Sequence, residues 1–237
     1  MPIRNVVRLS VLALPALLLI ACKGGESVPA ARPEASAAAA SAPPTDPRVA
    51  RADSARIRGS ASAPVWLIEV SDYQCPFCKQ WHDDVFPTII RDYVETGKVR
   101  LAYVNFPLGM HPNAPITAEA TMCAGAQGPE KYWRYHDLVF DTQERWAPLP
   151  DARPVLDSLA IQAGLDTAEF ANCLDSHLMR PLVEADISRM KAAGVGPTPT
   201  FFVGDTKIEG AQPVELFREA IEAALAAAGS PGSTTQR

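Results

Sequence analysis

Two cysteines three positions apart, in the run Cys75-Pro76-Phe77-Cys78, are the residues of this chain best placed to do chemistry. Such a pair can close a redox-active disulfide or supply two ligands of a metal site, and its surroundings decide between the two. The segment before it, 65–70, is almost wholly apolar and predicts a strand covered on both faces. Pro76 suits the first turn of a helix, where its missing N–H would have had no partner. A sulfur at that junction meets unpaired backbone N–H groups and the positive end of the helix dipole, which favour the thiolate. Cys75 is therefore the expected nucleophile. Cys78, one turn inside the helix, is placed to resolve a mixed disulfide formed at Cys75. Zinc would need further ligands, yet Cys123 and Cys173 are isolated in the sequence. The four histidines form no H-x3–5-H pair, although His82 lies one turn beyond Cys78. Lys79 stands where c-type haem attachment requires His. There is neither a phosphate-binding Gly-rich motif nor a GxSxG elbow, so no metal and no organic cofactor is expected.

The elements that must position the pair can be read outward from it. A helical pattern runs from Pro76 to about residue 94, with Pro87 kinking it and Gly97 ending it, and 99–104 reads as a second strand. This is a βαβ unit. From about 115 to 193 the pattern is helical, with capping at Asp166 and Glu169 and breaks at Gly128, Pro148, Pro150 and Gly164, so four or five helices fit. Trp81, Tyr132, Trp133 and Tyr135 are expected in the core or a groove wall. Residues 200–203 form a strand, Gly204-Asp205 a two-residue turn and 206–208 the return strand, before Pro213 opens an amphipathic helix to about 228. The order βαβ, helical block, ββα predicts an α/β, thioredoxin-like fold with a helical insertion, about 107–194, between its halves.

The chain has 237 residues, 47% of them hydrophobic, which is enough for one well-buried domain. Its formal net charge of −5 and lack of a dense Lys/Arg cluster give no field to hold nucleic acid. Arg4 and Arg8 precede an apolar stretch, 9–21, that is short for a membrane span and ends at Ala21 before Cys22. Residues 1–21 thus read as a cleaved signal peptide. Leu19-Ile20-Ala21-Cys22 resembles the lipobox of bacterial lipoproteins, which implies acylation of Cys22 and a lipid anchor. Residues 22–54, rich in Ala, Pro and Ser, read as a tether, 55–228 as the folded domain and 229–237 as a disordered tail.

Three separated motifs carry a family resemblance. Ser71-Asp72-Tyr73-Gln74-Cys75-Pro76-Phe77-Cys78, Glu69 six residues before the first Cys, and Gly196-Pro197-Thr198-Pro199-Thr200-Phe201-Phe202-Val203-Gly204 resemble the DsbA-like thioredoxin family, especially its DsbA/BdbD-type members. The resemblance spans about 65–225. It implies an envelope, periplasmic thiol–disulfide oxidoreductase, a protein disulfide oxidase in preference to a reductase or isomerase. Its implied partners are cysteine-containing envelope proteins and a DsbB- or VKOR-like membrane redox protein. A silent thioredoxin-fold binding or copper-handling module is the alternative. By the same resemblance Pro199 is a cis-proline beside the active-site disulfide and Thr198 presents backbone to substrate, although Pro197 replaces a Gly frequent in the family motif. Glu69 matches the family's buried acid beneath the second Cys. Burial would raise its pKa and let it pass a proton to and from Cys78, unless it sits at the strand's solvent edge. With Cys22 lipidated and two cysteines in the active site, Cys123 and Cys173 remain for a structural disulfide in an oxidising compartment, as in some DsbA-like proteins; two buried free thiols are the alternative. His111 sits in a recurring family loop and is assigned only packing or capping.

Overall fold

A computed structural model of the protein describes residues 46–229. The stretch read as a signal peptide, 1–21, Cys22, the stretch read as a tether as far as residue 45 and all but the first residue of the expected tail 229–237 lie outside the described residues. The architecture is built around one strand. β2 (Val65–Ser71) runs parallel to β3 (Val99–Asn105) and antiparallel to β4 (Thr200–Val203), which continues through a hairpin into β5 (Thr206–Glu209). Gly204, at φ +55°, opens the two-residue turn between β4 and β5 in a conformation L side chains seldom adopt. The connection from β2 to β3 carries α2 (Pro76–Asp84) and α3 (Phe86–Ile89), followed by a short π-helix (Ile90–Val94). Pro87 breaks the helical run as expected of a residue without an N–H, and Val85 joins the two helices.

Period-two alternation sorts the sheet residues by face. Leu67, Glu69 and Ser71 stand level with Leu101, Tyr103 and Asn105 of β3, and Leu67 and Glu69 also with Val203 and Phe201 of β4. This face belongs to the main core, where Trp81 of α2 packs 4.5 Å, centroid to centroid, from Phe201. The other face is less completely covered than the apolar sequence predicts. Val70, Phe106 and Val195 form a small second cluster, while Trp66 stays 39% exposed with Arg100 stacked 4.7 Å over its ring.

The helical insertion contains six helices where four or five were expected: α4 (Ala114–Gly125), α5 (Pro129–Asp141), the short α6 (Gln143–Trp146), α7 (Arg153–Gln162), α8 (Thr167–Asp175) and α9 (Arg180–Ala192). α4 is buried all round and forms its centre. Cys123 on α4 and Cys173 on α8 are joined by a disulfide, 50 residues apart in sequence. Closing a loop of that length takes about 4 kcal/mol of conformational freedom from the unfolded chain in the chain-entropy account. α10 (Val214–Gly229) closes the chain on the core side of the sheet through Phe217, Ala220 and Ile221. No described helix is long and apolar enough to cross a membrane.

Folded structure begins before residue 55, inside the stretch read as tether. α1 (Pro47–Ala55) starts at Asp46, whose side chain accepts from the Arg48 N–H at 2.8 Å, and Pro47 occupies the first turn. It buries Ala52 and Ala55 against α4, where Gly125 permits close approach: a Cβ there would lie 3.3 Å from both Ala52 Cα and Ala55 Cβ. β1 (Ile57–Arg58) then adds an antiparallel edge to β3, giving the strand order β1-β3-β2-β4-β5. Arg56, between them, is buried and paired with Asp186 of α9. Asp186 also accepts from the Asn105 N–H at 3.2 Å and from Arg189 at 2.5 Å, joining α1, β3 and α9 at one carboxylate.

Because Asp186→Ala leaves the buried Arg56 with only the half-exposed Asp53 as a charged partner, it is expected to cost roughly 3 kcal/mol in urea unfolding. The double change Arg56→Met with Asp186→Leu is expected to cost clearly less than the sum of its parts. A single-variant cost below about 1 kcal/mol would mean that the pair is not what fastens α1.

Candidate active site

The site lies where β2 gives way to α2. Cys75 is the N-cap of α2, with φ −72° and ψ 124°, and Pro76 occupies the first helical turn. The Cys75 N–H closes a tight turn on the Asp72 carbonyl at 3.0 Å, and Lys79 N–H bonds the Cys75 carbonyl at 3.1 Å. Both thiols are free. Their surroundings differ: Cys75 retains 4% of its surface, whereas Cys78, facing the core, retains none. Cys75 Sγ lies 3.5 Å from the Thr198 carbonyl oxygen. The Thr198–Pro199 peptide is cis, and the Pro199 carbonyl in turn accepts from the Gly210 N–H at 2.8 Å. Cys75, Thr198 and Pro199 are thus brought together at the end of the sheet.

The two thiols titrate apart. The Cys78 thiol, acting as donor, is the main influence holding Cys75 down to about 6 against the opposing effect of burial, with further help from Thr198 and the Cys78 and Phe77 amides. Burial, then the neighbouring Cys75, pushes Cys78 well above the usual thiol range. At neutral pH the pair therefore combines an outer thiolate with an inner thiol. This is the division of labour that disulfide exchange requires.

Glu69 is buried in mid-strand, with 1% of its surface exposed, and not at a solvent edge. Burial raises its pKa to about 8, weakly opposed by Ser71, and Oε2 has no hydrogen-bond partner. Tyr103, opposite Glu69 on β3, is pushed upward by burial and then by the charges of Glu69 and Cys78, so carboxyl and inner sulfur share one neighbourhood. Burial thus keeps the Glu69 carboxyl protonated at neutral pH, in the neighbourhood of a thiol whose own pKa is raised.

Several polar residues the sequence reading left without a role hold the loop 72–75. Gln143 Nε2 donates to the carbonyls of Tyr73 at 2.7 Å and Cys75 at 3.0 Å. Gln74 donates to the Ala147 carbonyl at 2.8 Å and accepts from the Asn113 N–H at 2.7 Å. Gln74 lies within the quoted motif, but Gln143 and Asn113 come from the insertion, where no local spacing marks them.

The residues most able to gather round a cation are elsewhere. His82 Nε2 and His136 Nδ1 lie 3.4 and 3.0 Å from the same Asp137 Oδ1. Both rings therefore face a carboxylate that can accept from each. His82 stacks on Phe86 and Phe140 and joins neither cysteine. Among the described residues Cys75 and Cys78 belong to no group of potential metal ligands.

Comparison with known proteins agrees with this geometry. A family profile described as Thioredoxin matches residues 51–223. Disulfide bond formation protein D of Bacillus subtilis (strain 168) is 26% identical over 179 residues, covering 71% of this chain and 76% of that protein. The crystal structure of oxidised BdbD from Bacillus subtilis superposes with a TM-score of 0.67 at 26% identity, covering 72% of this chain and 92% of that one. A Na(+)/H(+) antiporter of Salinispora tropica is 30% identical over 186 residues, but the chain spans only 26% of its length.

The state of Glu69 sets a stability trend. Its folded pKa, near 8, exceeds the ordinary value of 4.5, so below about pH 4.5 the proton is bound in folded and unfolded chains alike. Between the two values the unfolded chain ionises while the folded one does not, and stability falls as pH rises. Glu69→Gln should remove that fall, gaining on the order of a few kcal/mol over the parent at pH 7–8 and nothing at pH 4. Urea unfolding of the oxidised protein at both pH values checks it; a pH-independent difference would place the carboxyl in contact with water.

Proposed function

The chain belongs to the thioredoxin family as a thiol–disulfide oxidoreductase of the DsbA/BdbD type, and we propose that it acts in the cell envelope as a protein disulfide oxidase, donating the Cys75–Cys78 disulfide. The carrying observation is the inequality of the two sulfurs: Cys75 at the open helix end with its pKa near 6, Cys78 enclosed and raised. A stabilised outer thiolate favours the reduced form, and a disulfide whose reduced form is favoured is readily given away.

A thiolate of the substrate attacks Cys75 Sγ of the disulfide. The new bond is a mixed disulfide, and Cys78 leaves, taking a proton from Glu69. A second substrate thiolate then attacks the substrate sulfur of that bond and expels Cys75 as a thiolate. The substrate gains one disulfide, and the protein is left as the dithiol. Thr198, whose carbonyl faces Cys75, and Pro199 form the edge on which the substrate backbone lies. Phe77, 60% exposed between the two cysteines, adds no charge that would repel either sign of substrate. The dithiol returns to the disulfide through a membrane redox partner of the DsbB or VKOR kind. Acylation of Cys22 keeps the domain beside that partner, the tether giving it reach. The match to a protein named for disulfide bond formation supports the oxidative direction.

Cys78→Ser should accumulate mixed disulfides with envelope proteins, formed when the Cys75 thiolate attacks a substrate disulfide and expels one substrate thiolate, because Cys78 is no longer there to resolve them, whereas Cys75→Ser should trap nothing. Thiol trapping in living cells should find the parent pair largely oxidised. A pair found mainly reduced, with a potential near the roughly −270 mV of thioredoxin, would make the protein a reductase. Cys22→Ala should release the protein from the membrane fraction or block its processing; unchanged fractionation without a lipid mass at Cys22 would remove the anchor.

A further inference from the structure

Asp72 is the most heavily bonded residue of the active-site loop. Its carboxylate is fully buried. Oδ1 accepts from the Gln74 N–H at 2.7 Å, and Oδ2 accepts from the Leu108 N–H at 2.8 Å and from His111 Nδ1 at 2.7 Å. A carboxylate only accepts, so the proton of this last bond sits on Nδ1 of His111. The Asp72 backbone faces the chemistry: its carbonyl accepts the Cys75 N–H at 3.0 Å, and its own N–H donates to Cys78 Sγ at 3.4 Å. His111 reaches this point from the segment after β3, and its side chain is 17% exposed. Of the three donors on the carboxylate it is the only side chain, and the only one whose removal leaves the backbone intact.

We propose that His111 is a positioning residue for the redox couple: by holding Asp72 it aims the Asp72 amide at the sulfur of Cys78 and so favours the dithiol over the disulfide. The inference rests on Cys75 and Cys78 being the working couple. A bond to sulfur strengthens as charge collects on the acceptor. The Asp72 amide therefore interacts more strongly with Cys78 as a thiol, or as the thiolate it becomes on leaving, than with a disulfide sulfur that shares its electrons with Cys75. Without the imidazole, the buried Asp72 oxygen loses a donor and the segment carrying Leu108 loses a tie to the loop. The side chain is then held by the Gln74 and Leu108 amides alone, and the Asp72 backbone is held less firmly in the position that aims its amide at Cys78. The consequence is a change in the relative free energies of the two redox states and not only in the stability of the fold.

The balanced test reaction is protein dithiol plus glutathione disulfide giving protein disulfide plus two glutathione thiols. The full chain is equilibrated in glutathione buffers as parent, His111→Ala, His111→Asn and Asp72→Asn, and each fraction oxidised is read after alkylation. His111→Ala should shift the equilibrium constant toward protein disulfide by roughly three- to tenfold, the size of one hydrogen bond. Asp72→Asn should move it in the same direction, giving a second measurement should the first variant fold poorly. His111→Asn, whose amide can donate from near the Nδ1 position, should stay within about twofold of the parent. Melting curves separate this from a structural role: His111→Ala should lower Tm more in the reduced protein than in the oxidised one. An unchanged equilibrium constant with equal loss of Tm in both states would overturn the proposal. If the parent pair does not exchange with glutathione at all, the oxidoreductase reading fails, and this inference with it.

Discussion

Cys75 and Cys78 are separated by one turn of α2, yet one sulfur sits at the mouth of the helix and the other inside the core. Their opposed pKa values follow from that placement, since the Cys78 thiol, Thr198 and the helix-start amides hold Cys75 down against its own burial, while burial and the neighbouring Cys75 push Cys78 up. The rest of the molecule keeps the placement fixed. β2 must end beneath α2, α2 must start with a residue needing no N–H partner, and the chain between them must turn tightly at Asp72. Loss of any of these would let both sulfurs see similar surroundings, and the distinction between attacking and leaving sulfur would fade.

The insertion has a direct part in this arrangement. Gln143 fixes the carbonyls of Tyr73 and Cys75, and Asn113 holds the Gln74 side chain, while the Cys123–Cys173 disulfide ties the buried α4 to α8 within the same insertion. In a bare βαβ–ββα domain the turn before Cys75 would face solvent with unpaired carbonyls. Here the carbonyls of Tyr73 and Cys75 are both met by the side-chain amide of Gln143, carried on α6.

What could be read in advance follows from how far each determinant reaches along the chain. The βαβ and ββα halves, the helix start at Pro76 and the hairpin at Gly204-Asp205 depend on neighbouring residues, and their patterns are visible in a short window. Glu69 was legible because a lone carboxyl in an apolar strand is conspicuous. α1 was not, because an Ala-rich helix that buries only Ala52 and Ala55 leaves no apolar stripe to see, and its fastening through Arg56 to Asp186 spans 130 residues. β1, two residues long, exists only because β3 offers it an edge. Gln143 and His111 were legible as residues and not as parts of the site, since their partners are 70 and 39 positions away.

The fastening of α1 also governs how the domain bears load. Traction entering the described chain at Asp46 passes first into α1 and then, through the Arg56 pair and β1, into α9 and the outer side of β3. That route crosses the small-residue contact with α4 and the β1–β3 ladder. Beyond it, residues 59–64 lead to β2. A domain pulled from its amino-terminal side is thus met first by α4, α9 and β3, ahead of β2 and the turn at Asp72 that separates the two sulfurs.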